Sequence, residues 1–298
     1  MLQKYDERNR ELMVNVNGRL VHRREAGVSP FDSSVQNGDA VWEGLRLYDG
    51  RIFRLREHLA RLRKSAQMLS YASIPDDDTI IAEIRRTLDA NGMRDGVHIR
   101  LTLSRGVKYT SGLDPRLNTA GHSLFVLAEF KPPVYDTAGV RLITAKHRRP
   151  PAEVLDQRIH SANQLTSILA KIEANHAGVD DALMLDTRGF IAETNATHLF
   201  FVFGGVVATP TTCACPEGVT RSVVLEICDE LGFECAVRDI APDEIPSADE
   251  VFCTGTMGEI VPVVAIDALQ FPTCGRTTVA IERRFRERVS TEGDQIVD

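Results

Sequence analysis

Long hydrophobic runs, an excess of positive charge and paired cysteine motifs are all missing from this chain of 298 residues. The most apolar run, HLFFVFGGVVA, contains a Gly-Gly turn signal and is too short to span a bilayer. The N-terminus, MLQKYDERNRELMV, is charged and lacks the apolar core of a signal peptide. With a net charge of −7, no general affinity for nucleic acid or an anionic membrane surface is expected. These absences predict a cytoplasmic protein.

Cysteine is sparse and confined to the C-terminal third, at positions 213, 215, 228, 235, 253 and 274. No CxxC motif is present, and cytosolic proteins keep their thiols reduced, so free cysteines are expected. Cys213 and Cys215 have a spacing that can ligate a metal ion, but no second pair of ligands follows them. The sequence therefore predicts no metal site.

The composition is that of an ordinary globular protein, with 43% apolar and 26% charged residues, and the length suits two domains. In the N-terminal part, MVNVNGRLV and VWEGLRLYDGRIFRL alternate around Asn-Gly and Asp-Gly, which predicts two β-hairpins. LREHLARLRKSAQML and DDTIIAEIRRTLDANG predict amphipathic helices, and VHIRLTLSRG and HSLFVLAEF predict strands. We therefore expect a small α+β domain over residues 1–133, followed by a linker over 134–140, which KPPVYDTAG indicates with its paired prolines.

Residues 141–298 predict a second, larger domain. SANQLTSILAKIEANHAG predicts a helix that ends at Gly178 and whose apolar face holds Leu165, Ile168, Leu169 and Ile172. The following strands are short and joined by Gly-containing turns, with a helix in GVTRSVVLEICDELG. This pattern favours a mixed sheet or pseudo-barrel, so the fold class is α+β with two domains.

Several residues have types and positions that suit binding of an anion. In CPEGVTR, the amides of Val219 and Thr220 begin a helix, where unpaired N–H donors attract anions, although a simple capped loop explains the motif equally well. In CTGTMGE, glycines around Thr256 let the backbone approach a ligand closely. Glu193, in IAETNATHLF, follows a strand and is by itself typical of a surface residue.

Three basic residues have two interpretations each. Arg61, on the helix containing EHLARL, suits a solvated face or a salt bridge as well as a binding site. His98 and Arg100 point to one face of a predicted strand, which suits a carboxylate pocket or an exposed sheet face.

Taken together, the ordered motifs VWEGLR, RLREHLARL, HIRLTLSRG, AKIEA, FIAETNATHLF, CPEGVTR and VFCTGTMGE resemble the class IV (fold type IV) aminotransferases. That family includes branched-chain aminotransferases, D-amino-acid aminotransferases and aminodeoxychorismate lyase. The resemblance covers roughly residues 12–270. It implies a D-amino-acid-aminotransferase-like fold, with pyridoxal phosphate bound between a small N-terminal and a larger C-terminal domain. It also implies a homodimer in which partner loops close the active site.

The resemblance assigns roles residue by residue. It implies that Arg61, Val219, Thr220 and Thr256 hold the cofactor phosphate, and that Glu193 pairs with the pyridinium nitrogen. The residues implied to contact an amino acid and a 2-oxo acid are Trp42, His98, Arg100 and Met257. EGLR, HIR and TGTMGE lean toward the branched-chain group.

The sequence departs from this family at one position. Where members read I-K-S-x-N, with a lysine that forms a Schiff base with the cofactor aldehyde, this chain reads Ile159-His160-Ser161-Ala162-Asn163. Its lysines are few, at positions 4, 64, 108, 131, 146 and 171. Lys171 lies eleven residues further on, about 16 Å along a helix, too far to take the place of the missing lysine. Imidazole cannot form the Schiff base, so the cofactor, in its aldehyde form or as pyridoxamine phosphate, is expected to bind without a covalent bond.

The role of His160 has several interpretations at this point. It is a general base for amino transfer, since imidazole titrates near neutral pH, or an inert residue in a protein that binds either vitamer, or another phosphorylated ligand, without transamination. It is also explained by an inactivating or engineered change. A lyase on the same fold is a further alternative.

Overall fold

The computed structural model describes residues 3–135, 138–273 and 275–298. Within them the strands are, in chain order, β1 (Met13–Val16), β2 (Arg19–His22), β3 (Ala40–Tyr48), β4 (Arg51–Ile52), β5 (Val97–Ser104), β6 (Ser123–Phe130), β7 (Val140–Thr144), β8 (Asp181–Leu185), β9 (Ile191–Thr194), β10 (His198–Phe203), β11 (Val206–Thr209), β12 (Cys235–Val237), β13 (Glu250–Gly255), β14 (Glu259–Ile266), β15 (Leu269–Gln270) and β16 (Asp294–Gln295). The helices are α1 (Ser33–Asn37), α2 (Leu55–Met68), α3 (Asp77–Ala90), α4 (Ala152–Leu155), α5 (Leu165–Ala177), α6 (Val219–Leu231) and α7 (Arg276–Thr291). These elements form two compact units, each with its own sheet.

The N-terminal unit comprises Lys4–Pro132, Ile159–Asn163 and Val289–Asp298. Its antiparallel sheet has the strand order β16-β4-β3-β5-β6-β1-β2. The two-residue turns Asn17-Gly18 and Asp49-Gly50 have positive φ at both residues, which matches the right-handed twist of hairpin strands. Both predicted hairpins are confirmed.

The core of the N-terminal unit lies between this sheet and helices α2 and α3. Leu55, Leu59 and Leu62 of α2 are buried there together with Ile80 and Ile84 of α3. The helical spacing of these apolar side chains is what places them on one face, so the predicted amphipathic helices are confirmed.

The C-terminal unit comprises Pro133–Arg158 and Gln164–Arg288, together with the start of the chain. Its sheet has the order β12-β11-β10-β13-β14-β7-β8-β9, with β15 paired to β14. Three of these pairs, β11–β12, β14–β7 and β7–β8, are parallel and the others antiparallel, so the predicted mixed sheet is confirmed. Strand β9, at one end of the order, also contacts β10 in the middle, as in a sheet that curls back on itself.

Helix α5 has the predicted apolar face, but that face points out of the C-terminal unit. Leu165, Ile168 and Ile172 are 60%, 53% and 43% exposed. The buried side of the helix instead carries small residues, including Ala170 and Ala174, which pack with β8. Small side chains on that side let the helix lie close to the sheet.

The predicted domains 1–133 and 141–298 stay a prediction, and the compact units divide the chain in another way. Two segments beyond residue 141, 159–163 and 289–298, belong to the N-terminal unit. They do so because one pairs with β3 and the other contains β16, which pairs with β4. Part of the predicted linker, residues 136–137, lies outside the described residues.

The five described cysteines are free thiols, and Cys274 lies outside the described residues. Among the helices of the described ranges, none combines the length and the apolarity that crossing a bilayer requires.

Candidate active site

His160 is held against the first half of strand β3. Its carbonyl accepts a hydrogen bond from the Trp42 amide at 3.0 Å, and the Ala162 amide donates to the Ala40 carbonyl at 2.8 Å. The His160 amide donates to the Ser65 hydroxyl of α2 at 3.0 Å. The backbone of residue 160 is therefore fixed on both sides within the N-terminal unit.

The imidazole of His160 is fixed as well. Its Nδ1 lies 2.5 Å from the Trp42 carbonyl oxygen and 3.4 Å from Glu43 Oε1, and its ring stacks on the Trp42 indole at 4.4 Å. Burial, and then the Arg61 charge, lower the pKa of His160, although Glu43 acts in the opposite direction. The ring is consequently neutral at neutral pH.

Glu43 is a fully buried carboxylate at the centre of this cluster. Arg61 donates to it twice, from Nε to Oε1 at 2.8 Å and from Nη2 to Oε2 at 2.7 Å, and His58 Nδ1 lies 2.6 Å from Oε2. Burial by itself would raise the pKa of Glu43, but Arg61 and His160 together more than offset it, and the pKa lies well below its usual value. One edge of the Arg61 guanidinium is thus directed at Glu43.

A second basic group, Arg100, lies on β5 opposite Gly44 of β3. Its guanidinium carbon is 3.5 Å from the Trp42 ring centroid, a cation–π contact. Burial lowers the pKa of Arg100 to about 10, although Glu43 acts in the opposite direction. Arg100 stays charged at neutral pH and, within the described residues, has no carboxylate in an ion pair, so it can receive an anionic group.

His98, two residues before Arg100, differs from it in charge. Burial, and then the positive charges of Lys131, Arg100 and Arg46, lower the pKa of His98 to about 3. Its Nε2 is buried and has no hydrogen-bond partner among the described residues. His98 is therefore a neutral side chain, not a second cation beside Arg100.

In the C-terminal unit, Glu193 of β9 is buried and paired with Arg149. Arg149 Nη2 lies 3.0 Å from Glu193 Oε1 and also donates to the Thr194 carbonyl, while Nη1 donates to the Ser167 hydroxyl, both at 3.0 Å. This buried ion pair holds Glu193 ionised and fixes one of its oxygens.

His198 and Cys215 lie on the other side of Glu193. One nitrogen, oxygen or sulfur of each of these three side chains lies within 4.8 Å of the others, a grouping that can in principle hold a metal ion. His198 Nε2 is 2.8 Å from the Pro216 carbonyl and therefore carries a proton. Burial, and then Glu193, raise the pKa of the Cys215 thiol well above its usual value. Arg149 is already paired with the Glu193 carboxylate. A metal ion could therefore bind here only if the Cys215 thiol lost its proton in spite of its raised pKa.

The start of helix α6 offers backbone donors. Gly218 is the N-cap, and no side chain caps the helix. The amides of Val219 and Thr220 have no acceptor among the described residues, so they form a positive helix end. A Cβ at residue 218 would lie 2.4 Å from the His198 ring, so this position requires glycine.

The turn containing Thr256 and Met257 joins β13 to β14. The Met257 carbonyl accepts from the Val134 amide at 2.9 Å. A Cβ at Gly258 would lie 2.8 Å from the Tyr135 ring, so the turn packs closely on this tyrosine. Its backbone is therefore restrained at the residues that the sequence singled out.

The predicted site residues thus fall into two groups. Trp42, Arg100 and His160 come together in the N-terminal unit, with Arg61 joined to them through Glu43. The others, Glu193, Val219, Thr220, Thr256 and Met257, belong to the C-terminal unit. His98 lies beside Arg100 on β5.

Sequence reasoning missed Glu43, His58 and Arg149. Charged residues on a strand or helix are usually exposed, so the letters E, H and R gave no sign of burial. The EGLR and EHLAR motifs did contain the first two, and a search for oppositely charged residues among the motif positions would have found Glu43 and Arg61.

The donor set matches pyridoxal phosphate except at one point. The α6 amides without acceptors suit a phosphate dianion, and the buried Glu193 suits a protonated ring nitrogen. No lysine amine stands at residue 160, while Lys171 donates to Asp181 and Lys108 to Asn37. These donors of the C-terminal unit fit the phosphate and the ring nitrogen of such a cofactor.

Comparison with known proteins agrees with this description. The family model for amino-transferase class IV matches residues 40–266. A branched-chain-amino-acid aminotransferase-like protein 2 of Arabidopsis thaliana is 51% identical over 87% of this chain, and this match covers 46% of that protein. The chain therefore spans about half the length of this relative. The same is true of the branched-chain-amino-acid aminotransferase-like protein 1 of Arabidopsis thaliana. A putative branched-chain-amino-acid aminotransferase of Methanocaldococcus jannaschii is 38% identical, over 96% of this chain and 100% of that protein.

Solved structures give the same result for the fold. The branched-chain aminotransferase of Thermoproteus uzoniensis with norvaline has a TM-score of 0.87 at 29% identity, covering 95% of this chain and 96% of that one. The T.th. branched-chain amino acid aminotransferase complexed with N-(5'-phosphopyridoxyl)-L-glutamate has a TM-score of 0.87 at 32% identity, covering 94% of each chain.

Proposed function

The chain belongs to the class IV aminotransferase family and has its fold, and on that premise we propose that it transfers an amino group between an amino acid and a 2-oxo acid. It would do so with pyridoxal or pyridoxamine phosphate held without a covalent bond. The observation that carries this proposal is the geometry of His160, a neutral imidazole whose Nδ1 is directed at the Trp42 carbonyl. The proposed location is the cytoplasm, and the proposed substrates resemble those of the branched-chain group.

Four residues would hold the cofactor phosphate. They are Arg61, Val219, Thr220 and Thr256, of which the last three would act through the helix end and the GTM turn. Glu193, kept ionised by Arg149, would accept a hydrogen bond from the ring nitrogen. When bound, the cofactor supplies an electron-accepting ring that stabilises negative charge on the substrate Cα.

The N-terminal unit would supply the proton transfer and most of the substrate contacts. His160 has its Nδ1 proton directed at the Trp42 carbonyl, so its Nε2 lone pair can take a proton and return it. Arg100 would bind a substrate carboxylate, because it is positively charged, mostly buried and held on the Trp42 ring. His98, Trp42 and Met257 would line the rest of the substrate site.

Amine exchange with purified protein tests this proposal. The chain is supplied with pyridoxamine phosphate and 2-oxoglutarate, and then with branched-chain amino acids, and glutamate formation is followed. We expect slow turnover that His160→Phe reduces by about 10²- to 10⁴-fold, the usual contribution of a positioned base. The matched control is His176→Phe, an exposed histidine on α5 that should leave the rate unchanged. No turnover with any amino donor, at high protein and cofactor concentration, would exclude amino transfer.

A second function is favoured by the absence of a lysine at residue 160. A protein that binds the cofactor vitamers, or another phosphorylated small molecule, without transamination needs the same donors and no amine. Calorimetric binding of either vitamer without turnover would support this alternative, and no binding of either would count against it.

We also propose a homodimer, which the outward apolar face of α5 supports. Leu165, Ile168 and Ile172 form a row at helical spacing on that face. Exposed apolar rows of this kind are typical of interfaces between protein subunits.

A further inference from the structure

The groups that fix the His160 ring all accept hydrogen bonds. The Trp42 carbonyl oxygen lies 2.5 Å from Nδ1, and the Glu43 carboxylate oxygen lies 3.4 Å from it. A carbonyl oxygen cannot donate, and a carboxylate paired twice with Arg61 is ionised and cannot donate either. The proton must therefore be on Nδ1 of His160.

A neutral imidazole with its proton on Nδ1 has only a lone pair on Nε2. Burial and the Arg61 charge keep the pKa of His160 below its usual value, which favours this neutral form. No described residue donates to Nε2. Nε2 of the ring is thus an acceptor of hydrogen bonds and not a donor.

The family resemblance implies that His160 stands at the position of the lysine that bonds the cofactor's C4′ carbon. The two vitamers differ only at the group on this carbon. Pyridoxamine phosphate has an amine or ammonium group, which donates hydrogen bonds, whereas the aldehyde oxygen of pyridoxal phosphate only accepts them.

We propose that residue 160 selects the amine form of the cofactor over the aldehyde form, because its imidazole offers an acceptor and neither a donor nor a nucleophilic amine. This inference rests on the proposed function, since it concerns the same cofactor site. It reverses the relation found with a lysine, which captures the aldehyde. The chain in its resting state would then carry the amine form and accept a 2-oxo acid first.

Calorimetry with three ligands tests the selection. The ligands are pyridoxamine phosphate, pyridoxal phosphate and 4′-deoxypyridoxine 5′-phosphate, whose methyl group neither donates nor accepts. We expect the amine to bind about tenfold to hundredfold more tightly than the deoxy compound, as one charge-assisted hydrogen bond allows. The aldehyde should bind no more tightly than the deoxy compound, and mass spectrometry checks that surface lysines have not captured it.

The outcomes separate the inference from the function on which it rests. Equal binding of all three ligands, or tighter binding of the aldehyde, overturns the inference and leaves the proposed cofactor site intact. No binding of any ligand overturns both.

A variant and a spectroscopic measurement make the test independent of one result. His160→Phe keeps an aromatic ring against Trp42 but removes the acceptor, so the amine and deoxy compounds should bind within about twofold of each other. His176→Phe, the control, should retain the preference. If His160→Phe does not fold, ¹⁵N NMR of the unaltered protein decides. We expect a protonated Nδ1 and a bare Nε2 at residue 160, and a proton on Nε2 would contradict the inference.

Discussion

The buried charged residues of the two units have different partners. In the N-terminal unit, Arg61 and His58 both converge on Glu43, a carboxylate with no exposed surface. In the C-terminal unit, Glu193 has one oxygen on Arg149, and the amides of Val219 and Thr220 have no acceptor in the part of the chain that the structure describes. The comparison teaches that the two units hold different parts of the proposed site: a buried charge cluster beside His160 in one, and donors suited to a phosphate and a ring nitrogen in the other.

The largest expected effect is on stability, from removing the charge at the centre of the N-terminal cluster. Glu43→Gln leaves the Arg61 guanidinium buried without its carboxylate, so the free energy of unfolding should fall by about 3–5 kcal/mol. Glu57→Gln is the matched control, because its side chain is 46% exposed and, among the described residues, is in an ion pair with Arg54. That variant should change the free energy of unfolding by less than about 0.5 kcal/mol. Denaturant unfolding of both variants measures the difference, and equal values would show that the Glu43 cluster contributes little.

The next effect sharpens the comparison from the C-terminal side. Glu193→Gln removes the charge that would face a protonated ring nitrogen, so the affinity for pyridoxamine phosphate should fall by about tenfold to hundredfold. Calorimetry measures this change, with thermal unfolding to confirm that the variant is folded. Glu153→Gln, at an exposed position of α4 in the same unit, is the control and should bind as the unaltered chain does. An unchanged affinity in Glu193→Gln would remove this residue from the proposed site.

A smaller effect depends on pH and belongs to the N-terminal unit. The pKa of His98 is about 3 in the folded chain, against 6.5 for an ordinary histidine. As the pH falls below 6.5, the unfolded chain takes up a proton at this residue and the folded chain does not, so stability decreases toward acid pH. Each unit of difference between the pKa values in the folded and the unfolded chain corresponds to about 1.4 kcal/mol of unfolding free energy.

The measurement is the unfolding free energy at several pH values. In His98→Gln the loss between about pH 6.5 and 5.5 should be smaller than in the unaltered chain by about 1 kcal/mol. His176→Gln, at an exposed position, should keep the full loss. Parallel curves for all three proteins would show that His98 is not held neutral.

The last variant is expected to change the stability of the folded chain least. It tests the assembly of two chains into a dimer. Ile168→Glu places a charge in the exposed apolar row of α5, so a dimer that uses this face should dissociate while each chain stays folded. Val279→Glu, at a 47% exposed position of α7, is the control and should not change the mass in solution. Analytical ultracentrifugation distinguishes the two results, and a dimer that persists in Ile168→Glu would exclude this face as its interface.

Local patterns explain which parts of the fold could be predicted. The Asp49-Gly50 turn and the Leu55, Leu59 and Leu62 row depend on residues close in sequence, and the structure contains both as expected. For α5 the spacing gave the apolar face correctly but not the side on which it lies. Periodicity defines a stripe on a helix, whereas the sheet beneath α5 packs against its alanines.

The site depended on contacts between residues far apart in the chain. Arg149 and Glu193 are 44 positions apart, and His160 meets Trp42 across 118 positions. No spacing rule covers such pairs, so the roles of Glu193, Arg61 and the two turns were predicted only through resemblance to a family. The histidine in place of the family's lysine, by contrast, was predicted from the sequence alone, because the flanking motif fixed the position at which to look, and it stays a prediction.

The most direct test of the non-covalent site is intact mass spectrometry after borohydride treatment of the chain loaded with pyridoxal phosphate and then denatured. We expect the mass of the unaltered chain to stay that of the polypeptide alone, with the cofactor recovered in solution. His160→Lys serves as the positive control, and its mass should increase by one reduced cofactor bound at residue 160. A stoichiometric increase in the unaltered chain, mapped to any of its own lysines, would contradict the account.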